Sequence, residues 1–285
     1  MKIILVLFIQ ILIFSQNSQA IHDSLFINSG EISYQTLGLN PFPALAFNKT
    51  STFNKSNDFL EYKNKETFNL TIVNKDSIVH TVHIGDGIFS TGPIFPDSSS
   101  TITIVFNLNG IYKISDSTVE GQILGLNSFI KIWEQTNNKF IWNLNEIESN
   151  LNRKLRQGIS FNPDSFNPDY FTINGNTHPE ISLDSTAKIR GHVGDSIFIF
   201  VINSGIMYHS IHFHGYHVKI IASNSNVLDA GREKDSIPIR PGAYQVYLLI
   251  PNQSGEYPVH DHNLIATTGG GNYPNGMMVM INILP

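Results

Sequence analysis

The chain has no cysteine among its 285 residues. That absence rules out any disulfide and removes every thiolate from the list of metal ligands. Positive charge is also scarce. Eighteen Lys and Arg against 23 Asp and Glu leave a net charge of −5, with no basic stripe, so nothing in the electrostatics favours nucleic acid as a partner. Long apolar runs are missing beyond the N-terminus, and a membrane-spanning helix needs about 20 such residues. What is present, 41% hydrophobic and 14% charged residues, fits a packed protein long enough for two domains.

The N-terminus reads as an export signal. Lys2 precedes the apolar run Ile3 to Phe14, and Ser15-Gln-Asn-Ser-Gln-Ala20 supplies a small-residue cleavage site. Residues 1–20 are therefore expected to be a signal peptide. The mature chain is expected to be secreted, periplasmic or on the cell surface, with no stable membrane span. N-glycosylation sequons occur at Asn48, Asn54, Asn69 and Asn252.

Residues 21–60 are polar and broken by Asn40-Pro41 and Pro43, and are expected to form an N-terminal extension without a regular domain. From Glu66 onward short β-runs alternate with turn residues: Phe68–Val73, Thr101–Phe106, Ile197–Ile202, His217–Ile221, Gln245–Ile250 and Met277–Ile283. One helix is expected, over Asn143–Arg156, where charges cluster at Glu146, Glu148, Arg153, Lys154 and Arg156. The chain also repeats itself. Asn74 precedes His80-Thr-Val-His83-Ile-Gly85 by the same offset as Asn203 precedes His209-Ser-Ile-His212-Phe-His214. Later, Gly110-Ile-Tyr112-Lys-Ile-Ser115-Asp116-Ser117 aligns with Gly255-Glu-Tyr257-Pro-Val-His260-Asp261-His262. Two matches in the same order imply two related domains. The expected fold is all-β, with domains at 61–135 and 165–285 and a partly helical connector over 136–164.

Histidine is concentrated in the second copy. Residues two apart on a strand share a face, so His212 points with His214 and His260 with His262. If their strands are neighbours, four neutral nitrogen donors converge, a setting that suits Cu, Zn, Fe or Ni. In the first copy Gly85, Ser115 and Ser117 stand where the second has His214, His260 and His262, which leaves only His83. Asp261 lies on the opposite face from its two neighbours. There it either holds the His209 ring by a hydrogen bond or is a satisfied buried acid. Asp86, after His83, is either a turn residue or a proton donor. The run Thr267–Gly276, with three adjacent glycines, is expected to be flexible, as a lid or an assembly loop.

These motifs together resemble the cupredoxin-fold multicopper oxidases and copper nitrite reductases. Phe171-Thr-Ile-Asn-Gly175 looks like the start of a terminal oxidase domain. His209-Ser-Ile-His212-Phe-His214-Gly215 is similar to the HPxHLHG motif, and Lys234-Asp235-Ser-Ile-Pro-Ile-Arg-Pro241-Gly242 to KDTVxVxPG. His260-Asp261-His262 stands where the family writes HCH, and Gly276-Met277 where it writes GM. His262-Asn263-Leu264-Ile265-Ala266 is similar to a nitrite reductase segment. The resemblance implies two Greek-key β-sandwich domains and a copper cofactor. It places His209 on a type 1 position, His212 on a type 2 position, and His214, His260 and His262 on type 3 positions. It also implies a homotrimer with copper between subunits, which would bring His83 of one chain to the cluster of the next. With Asp261 and Asp116 in place of the type 1 cysteine, no type 1 centre is expected, and the full set of oxidase ligands is missing. Three functions stay open: a copper oxidoreductase without a type 1 relay, a non-enzymatic copper carrier or buffer, and a metal-free structural protein.

Overall fold

A computed structural model describes residues 20–34, 40–134 and 136–285. The expected signal segment therefore falls outside the described residues up to Ala20. The first domain is built from β1 (Ile21–Ile32), β2 (Phe42–Asn48), β3 (Leu60–Tyr62), β4 (Thr67–Asn74), β5 (His80–Ile84), β6 (Phe89–Ile94), β7 (Ser99–Val105), β8 (Gly110–Asp116), a short helix α1 (Val119–Ile123) and β9 (Asn127–Ile132). The second follows as β10 (Lys139–Ile147), α2 (Ser149–Arg156), β11 (Tyr170–Ile173), β12 (Arg190–His192), β13 (Ile197–Asn203), β14 (His209–Phe213), β15 (Val218–Ser223), β16 (Glu233–Lys234), β17 (Ser236–Ile239), β18 (Tyr244–Leu249), β19 (Gly255–Asp261) and β20 (Met278–Leu284).

Each domain is a two-sheet sandwich, and the sheets repeat. The first domain has strand orders β2-β1-β4-β7 and β3-β9-β8-β5-β6; the second has β11-β10-β13-β18-β15-β16 and β12-β20-β19-β14-β17. Parallel pairing of β1 with β4 is answered by β10 with β13, and antiparallel β5 with β8 by β14 with β19. The matched offset of Asn74 and Asn203 has a physical cause. Both side chains are buried and tie down the loop that follows. Asn74 Nδ2 donates to the carbonyls of Ile78 and Ile94, and Asn203 Nδ2 to those of Met207 and Ile239.

The all-β, two-sandwich expectation holds, but two sequence expectations are corrected. Residues 21–60 are not an irregular extension: β1 and β2 complete the first sheet. The polar character of β1 hid it, because only Leu25, Ile27 and Ile32 point inward among its apolar residues with full burial. The expected helix over Asn143–Arg156 is half strand. Lys139–Ile147 pairs with β13, burying Trp142 and Leu144 at period two, and the helix begins only at Ser149. The second sandwich thus takes its first strand from the stretch expected to be connector. The Thr267–Gly276 run is likewise tied down. Gly270 N–H donates to the Asp169 carbonyl, Gly269 and Asn272 pair, and Gly276 N–H bonds the Thr267 carbonyl.

Candidate metal centre

Strand alternation sets out the site. On β14, His209, Ile211 and Phe213 are buried while His212 is half-buried and His214, just beyond the strand, is exposed. Phe213 packs against Trp142 and Tyr247 in the core. A one-residue slip would move that aromatic to solvent and both imidazoles inward, so the core fixes which face carries histidine. Loss of a ring like Phe213 to alanine costs about 3–5 kcal/mol. On β19, Val259 and Asp261 face the core, and His260 faces out opposite His212 in register. Backbone bonds finish the alignment: His262 N–H donates to the Ser210 carbonyl at 2.7 Å and His214 N–H to the Pro258 carbonyl at 3.1 Å.

The four rings meet. The centroid of His212 lies 4.7 Å from His214, 5.6 Å from His260 and 5.4 Å from His262. His214 Nε2 and His260 Nε2 are 3.0 Å apart. That is the spacing of a hydrogen bond between the two rings, and it is close to the roughly 3.3 Å that separates two nitrogens bound tetrahedrally to one ion. The other nitrogens are held from behind: His212 Nδ1 is 2.7 Å from Ser236 Oγ, and His260 Nδ1 donates to the Asp261 carbonyl at 2.8 Å. That fixes ring orientation and turns Nε2 of each toward the outer face. Burial lowers the His214 pKa, and the neighbouring His212 and His260 lower it further, so the ring is neutral and competent as a donor at pH 7. Among the described residues no group of three or more His, Cys, Asp or Glu side chains is arranged so that it could hold a metal ion as it stands. The fit to a metal ion rests on the donor set and on the close nitrogen pair.

His83 occupies the matching place on β5, half-buried and opposite Ser115, on the other domain's sheet and apart from the four rings. Asp86 lies in the exposed turn after β5 with φ +56°, a conformation that Asp tolerates better than most residues. His209, expected on a type 1 position, has no nitrogen left for a metal. Its Nδ1 is 2.5 Å from Asp261 Oδ2 and its Nε2 is 3.2 Å from Glu146 Oε2, with all three side chains buried. His209 is therefore removed from the ligand set. Burial opposes its protonation, but the hydrogen bonds and charges of Asp261 and Glu146 outweigh that and raise its pKa to about 9. The first domain holds a counterpart. His80 Nδ1 is 2.6 Å from Asp116 and Nε2 is 3.1 Å from Asp76, which Arg156 clamps with two bonds of 2.9 and 2.8 Å. Burial again opposes, and the two carboxylates again win, lifting the His80 pKa to about 9.

Sequence reasoning anticipated Asp261 as a partner of His209 and missed Glu146, Asp76, Arg156 and Ser236. Glu146 was hidden by its assignment to a helix. Asp76 and Gly205, two residues beyond the paired asparagines, differ between the copies, and that difference was the available signal.

The multicopper oxidase family matches residues 152–282. No curated protein matches the sequence. Among solved structures, a blue copper oxidase from Nitrosomonas europaea superposes with a TM-score of 0.79 at 22% identity, over 93% of this chain and 86% of that one. A multicopper oxidase titled mgLAC gives 0.77 at 20% identity, over 93% and 87%. A copper nitrite reductase from Nitrosomonas europaea gives 0.73 at 14% identity, over 93% and 94%. At these identities the structural likeness speaks for the fold.

Proposed function

We propose that the chain, whose second half matches the multicopper oxidase family and whose fold is that of multicopper oxidases and copper nitrite reductases, is an exported copper protein with one histidine-rich site and no type 1 copper. The ligands are His212, His214, His260 and His262, with His83 contributed across a domain or subunit interface. The observation that carries this reading is the register of β14 and β19, which sets His212 opposite His260 and brings the four imidazoles onto one face. Copper ahead of zinc follows from the family and from the affinity order for nitrogen donors.

Copper bound there would supply one-electron redox chemistry. The protein's own part is to hold neutral imidazoles in place through Ser236 and the Asp261 carbonyl, and to present them at an open face. Asp86, three residues beyond His83, is the carboxylate we assign to proton movement at that interface. Leu264 and Ile265, each 67% exposed immediately after the last ligand, give the face an apolar rim suited to a second subunit, in keeping with a homotrimer. Carriage or buffering of copper is the second reading. It is favoured by the buried His209–Asp261–Glu146 group, which stands where the superfamily's type 1 relay would be and offers no conduit for electrons.

Reconstitution with Cu(II), followed by metal analysis and EPR, tests the site. A type 2 signal at about one copper per chain is expected, with loss in His212→Ala and in His262→Ala. Stoichiometric absence of metal would sink the copper reading. Assays with nitrite and phenols then separate an oxidoreductase from a carrier.

A further inference from the structure

Methionine is the only soft metal donor in a chain without cysteine, and it occurs five times. Met277, of the Gly276-Met277 motif, is fully buried in the second core, and Met207 packs against that core. Met278 and Met280 are placed differently. They alternate along β20 with the fully buried Val279 and Ile281, so both point to the outer face, where they are half-buried. That is the face which carries the imidazoles.

The register puts Met278 beside them. Met278 pairs with His260, His260 with His212, and His212 with Ser236. One row thus crosses four neighbouring strands, with a thioether at one end, a hydroxyl at the other and two imidazoles between. Asp261 N–H donates to the Met277 carbonyl, which makes that pair the hydrogen-bonded one and His260 with Met278 the non-hydrogen-bonded one next to it. Side chains stand closest in such pairs, with Cβ atoms about 4.5–5.5 Å apart. Methionine has three rotatable side-chain bonds, enough for its sulfur to meet an ion held by the neighbouring ring. The backbone entering β20 is itself pinned, since Met277 N–H donates to the Ala266 carbonyl at 2.7 Å and Met278 N–H to that of Gly276 at 3.0 Å. Met280 lies one row on, opposite Pro258, which has no donor side chain.

The first domain has the same row without the sulfur. There Asn127 pairs with Ser115, Ser115 with His83, and His83 with Ser90. The serine at the far end is kept in both copies, whereas the thioether occurs only in the copy that carries the imidazole cluster.

Resting on the copper reading above, we propose that Met278 is a sulfur ligand of the histidine site and gives it a preference for Cu(I). Imidazole nitrogen serves both oxidation states of copper, whereas a neutral thioether selects the softer Cu(I). The sulfur binds at the β20 side of the cluster, opposite the side on which Ser236 holds the His212 ring.

The test measures Cu(I) and Cu(II) dissociation constants, by chelator competition, in the full-length chain and in Met278→Leu. Leucine keeps the apolar volume and removes the sulfur. Cu(I) affinity is expected to fall about tenfold with Cu(II) affinity unchanged, which equals a fall of about 59 mV in the one-electron midpoint potential. Met280→Leu should leave both constants where they were. X-ray absorption of the Cu(I)-loaded natural chain gives a reading that needs no variant: a sulfur among the atoms bound to copper is expected. A Cu(I) signal from nitrogen and oxygen alone, an unchanged Cu(I) affinity in Met278→Leu, or an equal loss in Met280→Leu overturns this inference and leaves the copper reading standing. No copper bound by the natural chain in either oxidation state overturns both.

Discussion

Asp76 and Glu146 pin equivalent histidines in the two domains, but they reach them from different parts of the fold. Asp76 lies two residues beyond Asn74, in the loop leading to β5, and is joined by Arg156 from α2. The corresponding place in the second domain is Gly205, two residues beyond Asn203. A Cβ there would lie 2.0 Å from Glu146 Oε2, so the small residue is what lets the carboxylate of β10 enter. The strand pairings fix the correspondence. Ile27 pairs with Asn74 and Leu144 with Asn203, which sets Glu146 against Ser29. One sandwich thus supplies its acid from a loop and balances it with arginine. The other supplies it from the facing sheet, with no arginine bonded to it. A buried imidazolium between two carboxylates is therefore a property of the duplicated fold, while its net charge is a property of each copy.

The sharpest way to break this comparison is to remove the imidazoles. His209→Leu leaves two buried carboxylates with no cation and should cost about 3–5 kcal/mol. His80→Leu leaves Asp76 paired with Arg156 and should cost less. Guanidinium unfolding of the two variants checks the order, and equal losses would mean that Arg156 contributes nothing.

Raising the pH asks the same question without mutation. Both histidines have pKa values raised from 6.5 in the unfolded chain to about 9 in the folded one. Their contribution is whole below pH 6.5 and is lost as pH rises through about 9. Thermal melts should fall over that window by less than the leucine variants lose, because the ring shape and the packing persist. A flat profile from pH 6.5 to 10 would contradict the buried imidazolium.

The smallest effect expected is for Arg156→Met. It makes the first network resemble the second in charge, at about 1.5–3 kcal/mol for the lost bonds to a charged group. Differential scanning calorimetry should show the loss, and the copper affinities of the second domain should not move.

Much of the site was legible because its signal has period two. His212 with His214, and His260 with His262, announce their shared face in the sequence, and the alignment of the two copies announces which domain keeps the ligands. Asp261 was legible as an inward acid by the same parity. Glu146 was not, since a strand that carries Asn143, Asn145 and Glu146 among apolar residues has the charge pattern of a helix start. Only pairing with β13 reveals that Trp142, Leu144 and Glu146 share the inner face. β1 escaped for the related reason that Asp23, Ser24, Asn28 and Ser29 dilute its apolar alternation, and each residue's partner on β4 lies 47 residues on in sequence. His209 shows the limit of reading roles from motif position: its place in the motif is kept while both of its nitrogens are given to carboxylates.

The clamp of Arg156 on Asp76 also bears on how divisible the molecule is. The guanidinium comes from the helix that follows the first strand of the second sandwich, so the two domains are interlocked in chain order. A first domain expressed alone, ending after β9, would keep Asp76, Asp116 and His80 but lose the cation that neutralises them. Truncation at the apparent boundary would leave a bare buried charge in a domain that otherwise looks whole.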